Sequence, residues 1–93
     1  MDIMERVRTF VVTNFYVADP EGLPNDASLI SLGVIDSTGV LEVICFLEQE
    51  FGIVVEDADA TPGNLESIER ISAFVARNLE RIVPDEVGAS LTG

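Results

Sequence analysis

Few residues in this sequence could do chemistry, and the most suggestive are adjacent. Ser37 directly follows Asp36, where a Gly- and Pro-rich stretch gives way to an amphipathic pattern. A serine at a helix start has an exposed hydroxyl. An anion attached there would meet free backbone N–H groups and the positive end of the helix dipole. Asp36 is a natural N-cap, its carboxylate placed to accept from the first N–H groups. On these two residues alone, plain capping is the better reading. A nucleophilic serine needs a base, and the chain has no His and no Lys, which argues against an enzyme. Cys45 is the one cysteine, so an internal disulfide and a multi-cysteine metal site are excluded. It has carboxylates nearby and no base, a setting that blunts a thiol. Asp57-Ala58-Asp59 could open a calcium loop, but such a loop needs Gly at its sixth position and Glu at its twelfth. Those positions hold Pro62 and Ile68, so no metal site is expected.

The charge of the chain limits its partners. Seventeen acids against five bases give a net charge of −12 over 93 residues. Binding to nucleic acid or anionic lipid requires a basic footprint, which is missing. Every base is an Arg, and none lies between Arg8 and Arg70, whereas carboxylates run from Asp19 to Glu69 through that interval. This acidic stretch is either a solvated surface or a docking surface for partners that present Arg and Lys. No apolar run is long enough for a membrane span, and the N-terminus is charged where a secretion signal would be apolar. The expected compartment is the cytoplasm.

The elements that must position Asp36 and Ser37 read as helices. Asp2 caps a first helix over 2–15, with Ile3, Val7, Phe10, Val11 and Asn14 at helical spacing. Residues 16–36 form a long loop with Leu29, Ile30, Leu32 and Ile35 as its anchors to the core. A second helix covers 37–51 and ends at Gly52. A short helical turn is expected over Glu56–Asp59, after which Pro62, Gly63 and Asn64 break the chain. The last helix spans 67–82, with Ser67 near its cap and Ile68, Ile71, Phe74, Val75, Leu79 and Ile82 as its apolar stripe. Pro84 is expected to stop it. The result is one domain over 1–83 and a flexible tail over 84–93. The expected fold is all-α, a small four-helix bundle with three long helices, one short helix and a long first loop.

At about 100° per residue, Val40, Val43, Ile44, Leu47 and Phe51 share the core face of the second helix. Thr38, Leu41, Glu42, Cys45 and Gln49 lie opposite. Leu41 and Cys45, flanked by Glu42 and Glu48, are then either apolar docking points ringed by charge or covered by another helix or the loop.

The run Leu32-Gly33-Val34-Ile35-Asp36-Ser37, with Gly39, Leu41-Glu42-Val43, Leu47-Glu48, Glu50 and Phe51-Gly52-Ile53, resembles the carrier-protein signature. That family comprises the acyl, peptidyl and D-alanyl carrier proteins, and the resemblance extends from about Ile3 to Ile82. It implies that Ser37 receives 4′-phosphopantetheine from coenzyme A through a phosphopantetheinyl transferase, with Asp36 aiding recognition. It implies that Glu42 and Glu48 meet basic patches on partner enzymes and that Thr38, Leu41 and Cys45 contact those partners. The arm's thiol would hold an acyl or aminoacyl group as a thioester, and the carrier, a monomer, would perform no chemistry of its own. The sequence departs from the common Asp-Ser-Leu motif: Thr38 replaces the Leu. Gly39 follows in the first turn, at roughly 1 kcal/mol of helix propensity, which close approach by a partner would explain. The pattern Gly-x-x-Asp-Ser-x-Gly is similar to D-alanyl and free-standing aminoacyl carriers, often paired with an AMP-forming ligase. The alternatives are a fatty-acid or polyketide carrier, and a non-covalent adaptor of the same fold with Ser37 unmodified.

Overall fold

The computed structural model describes the backbone over residues 2–92 and the side chains over 2–80. Its regular elements are all helical, with no strand among the described residues. Helix α1 spans Ile3–Asn14, α2 spans Ser37–Phe51, a single 3-10 turn covers Asp57–Asp59, α3 is Pro62–Leu65 and α4 is Ile68–Thr92. This is the small bundle with a long first loop that the periodicity predicts. Asp2 caps α1, its carboxylate accepting the Glu5 N–H at 2.8 Å. Gly52 ends α2 in the left-handed conformation (φ 69°), which a residue without Cβ adopts at least cost.

Helix α4 is the spine on which α1, α2 and α3 pack. Val7 and Val11 from α1, Val43 and Leu47 from α2, Leu65 from α3, and Ile68, Ile71, Phe74 and Val75 from α4 are buried together. This follows the expected stripes, with Phe51, Val40, Ile44 and Leu79 half-buried at their margins. Asn14, placed on the apolar stripe of α1 by spacing alone, is exposed, and Ile82 lies outside the described side chains.

The long loop differs from expectation in its anchors. Leu29 and Ile35 are buried, but Ile30 is 39% and Leu32 60% exposed, and Leu23 is buried instead. Hydrogen bonds set this choice. The Leu29 N–H donates to the Glu66 carbonyl at 2.7 Å, and the Glu69 N–H donates to the Asn25 carbonyl at 2.8 Å. The Leu29 carbonyl in turn accepts from Val34 and Ile35. Two backbone ties to the α3–α4 junction therefore fold the loop inward at Leu29 and turn its neighbours out. Gly33, at φ 76°, makes the tight turn before Asp36.

Two proline readings are corrected. Pro62 begins α3 rather than breaking the chain: it occupies the first helical turn, where its missing N–H would be unpaired anyway. Helix α4 continues to Thr92, past Pro84, where the sequence placed its end. A proline costs a helix interior about 3 kcal/mol, which kinks a helix as readily as it ends one. The tail assigned to 84–93 lies outside the residues whose side chains are described.

Candidate functional site

The site is the opening of α2. Asp36 has extended backbone and accepts the Gly39 N–H on Oδ1 at 2.8 Å, while its carbonyl accepts the Val40 N–H at 2.9 Å. Those bonds satisfy the third and fourth N–H groups of the helix. The N–H groups of Ser37 and Thr38 are left to solvent or to an anion. Ser37 is exposed, and its hydroxyl has no hydrogen-bond partner among the described residues.

Gly39 has a role within the protein rather than toward a partner. It is buried, and a Cβ built on it would lie 2.9 Å from Phe15 Cε1 and 3.3 Å from Ile35 Cγ2. The Phe15 ring, held edge-on against Phe10, occupies the space a side chain would need. The glycine is thus the price of seating Phe15 under the first turn.

Beside Ser37 lies an apolar cleft of about 250 Å³, lined by Ile30, Val40, Ala60, Thr61, Pro62 and Leu65 as well as Ser37 itself. The sequence reading did not bring these residues together. The exposed Ile30, taken for an anchor, is one wall, and the unexpected α3 supplies Pro62 and Leu65. The half-burial of Val40 reflects its place between core and cleft.

The outer face of α2 carries the residues singled out by the wheel. Thr38, Leu41, Glu42, Cys45 and Gln49 are all exposed, Leu41 at 63%. Among the described residues neither the loop nor another helix covers Leu41 or Cys45, so the covered alternative falls. Glu48 is exposed but not free, since its carboxylate accepts the Val55 N–H at 3.1 Å and holds the chain leaving α2. Among the described residues no cluster of side chains could hold a metal ion. Phe46, which shares a flank of α2 with Gly39 seven residues earlier, went unassigned in the sequence. It stacks on Phe10 of α1 at 4.0 Å between ring centroids.

No family model matches the chain. The chain is 33% identical over 75 residues to an acyl carrier protein of Campylobacter hominis, covering 81% of this chain and 91% of that protein. The chain belongs to the acyl carrier protein family. It is also 25% identical over 80 residues to the probable acyl carrier protein PigG of a Serratia species, covering 86% of this chain and 90% of the relative. Both matches span most of the bundle, so the likeness is to whole carrier proteins and not to an isolated motif. No helix among the described residues is long and apolar enough to cross a membrane.

Proposed function

We propose that this acyl carrier protein bears 4′-phosphopantetheine on Ser37 and carries its cargo there as a thioester. The observation that supports this best is the free, exposed hydroxyl of Ser37 at an open helix start, directly after Asp36 and beside an apolar cleft. In the attachment reaction the Ser37 oxygen would bond to phosphorus. The pyrophosphate link of coenzyme A would break, with adenosine 3′,5′-bisphosphate as leaving group. No described residue hydrogen-bonds the Ser37 hydroxyl, and the Asp36 Oδ1 is engaged with the Gly39 N–H, so the proton is left for the transferase to take.

The residues fit the group. The unpaired N–H groups of Ser37 and Thr38 and the α2 dipole favour a phosphodiester at Ser37. Ile30, Val40 and Leu65 offer apolar contact to whatever leaves Ser37 along the cleft. When bound, the arm supplies the thiol that holds the acyl group. The chain's own part is to hold that attachment at the end of a rigid helix and to present Asp36, Thr38, Leu41, Glu42, Cys45 and Glu48 to the enzymes that load and unload it. Its acidity suits basic docking surfaces on the transferase, the loading ligase and downstream acyl-transfer enzymes.

The Thr38-Gly39 variant of the motif favours a specialised carrier loaded with an aminoacyl or acyl group by an AMP-forming ligase. The exposed free thiol of Cys45 suits the reducing cytoplasm. Incubation with coenzyme A and a broad-specificity phosphopantetheinyl transferase tests the attachment, read as the mass gain of the intact protein. The Ser37→Ala variant should show none. Offering the pantetheine-bearing chain with its thiol free, ATP and a panel of amino acids to a ligase encoded beside it tests the cargo. Loading only by fatty-acid synthase enzymes would refute that part.

A further inference from the structure

The long loop between α1 and α2 encloses a hollow of its own. It shares no lining residue with the cleft at Ser37 or with the outer face of α2. Its volume is about 400 Å³, inside the range of about 300–1,000 Å³ typical of ligand sites. Tyr16, Val17, Pro24, Leu32 and Val34 give it apolar walls. Tyr16 is 84% exposed, and Leu32 is exposed as well, so neither side chain is used by the core.

One charged group lines the hollow, the Asp19 carboxylate. Its position is fixed. Oδ1 accepts the Gly22 N–H at 3.1 Å, and Oδ2 lies so close over Gly22 that a Cβ there would meet it at 2.2 Å. Among the described residues Oδ2 accepts no hydrogen bond and Asp19 has no ion pair. Arg8 meets the loop from α1, but its guanidinium is bonded to the Pro20 carbonyl and the Asn25 side chain, and no base lines the hollow. The walls begin just past the last turn of α1, which carries no base to offset the negative end of its dipole. Apolar walls, an exposed phenol ring and an unpaired carboxylate together match one side chain. Arginine lays an apolar stem on apolar surface, stacks its planar head on an aromatic face and pairs with a carboxylate.

We infer that the α1–α2 loop forms a pocket for an arginine side chain of a partner protein, with the guanidinium between the Tyr16 ring and Asp19 Oδ2 and the stem along Leu32 and Val34. The pocket is a point of contact separate from the α2 face, and it does not depend on what Ser37 carries. It is tested on the unmodified chain, so its failure is distinct from failure of Ser37 to take the arm.

The probe is acetyl-Leu-Arg-Leu-amide, and its control has citrulline for Arg, which keeps the shape and loses the charge. Tyr16 is the sole tyrosine of a chain without tryptophan, so its fluorescence reports the pocket directly. The amide NMR signals of Gly22 and Gly33, both on the lining, give a second readout. At low salt the Arg peptide should change both signals saturably in the millimolar range. The citrulline peptide should bind about fivefold more weakly, the effect of one opposite-charge contact in water. Asp19→Asn keeps an acceptor for the Gly22 N–H and should weaken the Arg peptide by the same factor. Glu80→Gln, the same charge lost on an exposed position of α4, should act far less. Tyr16→Ala, followed by NMR, should weaken the Arg peptide about two- to fivefold. Equal binding of the citrulline peptide or of a Lys peptide, shifts confined to α2, no saturable change, or indifference to Asp19→Asn would overturn the inference. Fluorescence that changes with the chain's own concentration, without peptide, would assign the pocket to a second copy and overturn it too.

Discussion

Replacing Gly39 with Ala should destabilise the protein, although it removes a glycine from a helix. The substitution gains up to about 1 kcal/mol of helix propensity. Against this, the new Cβ would lie 2.9 Å from Phe15 Cε1, 3.3 Å from Ile35 Cγ2 and 3.4 Å from Asp36 Oδ1. Phe15 cannot simply swing aside, because its ring is edge-on to Phe10 at 5.8 Å and Phe10 is stacked on Phe46. Overpacking of this kind costs about 1–3 kcal/mol. The net loss is about 1 kcal/mol, a fall of roughly 4–8 °C in Tm for a domain of this size. Thermal and urea unfolding followed by circular dichroism would measure it. Phe15→Leu in the same chain should relieve the overlap, so the two changes should couple by about 0.5–3 kcal/mol. A Gly39→Ala protein that is more stable than the parent, or no coupling to Phe15→Leu, would refute the packing argument.

Further outcomes follow from the same geometry. Leu47→Ala should cost about 2–5 kcal/mol, because the side chain is fully buried, as denaturant unfolding would show. Asp36→Ala should cost about 1 kcal/mol through the lost cap on the Gly39 N–H and should also slow modification of Ser37, read by calorimetry and by mass. Glu42→Lys should slow loading by a basic partner with stability unchanged. Glu48→Lys should slow loading and also loosen the turn at Val55, whose N–H loses its acceptor; added salt should weaken association of the parent chain. Loading rates indifferent to both substitutions and to salt would leave the acidic face as a solvated surface.

What was legible in the sequence was local or periodic. Val43 and Leu47 fall on one face of α2 by spacing, Asp36 and Gly52 mark its ends by residue type, and all four hold those places in the structure. The same wheel sets Leu41 and Cys45 opposite that face but leaves open whether another element covers them, and only the structure shows both exposed. What was hidden depends on contacts distant in sequence. Leu23 replaces Ile30 and Leu32 as an anchor because backbone bonds from Asn25 and Leu29 to the α3–α4 junction set the path of the loop. The Phe10–Phe46 stack joins two helices, and no single wheel can show it. Pro62 had two meanings, chain breaker or first residue of a helix, and nothing in its near neighbours chose between them. The cleft beside Ser37 was hidden for that reason, since α3 forms one side of it.

The central claim is that Ser37 is the attachment point of the pantetheine arm. Its most direct test is the intact mass of the protein after incubation with coenzyme A and a broad-specificity phosphopantetheinyl transferase, for the parent chain and for Ser37→Ala. The account predicts one phosphopantetheine added to the parent and none to Ser37→Ala, with helix content and Tm of the variant nearly unchanged. Addition to the Ala variant, at Ser28, Ser31 or another serine, or a parent chain that never gains the group, would contradict it.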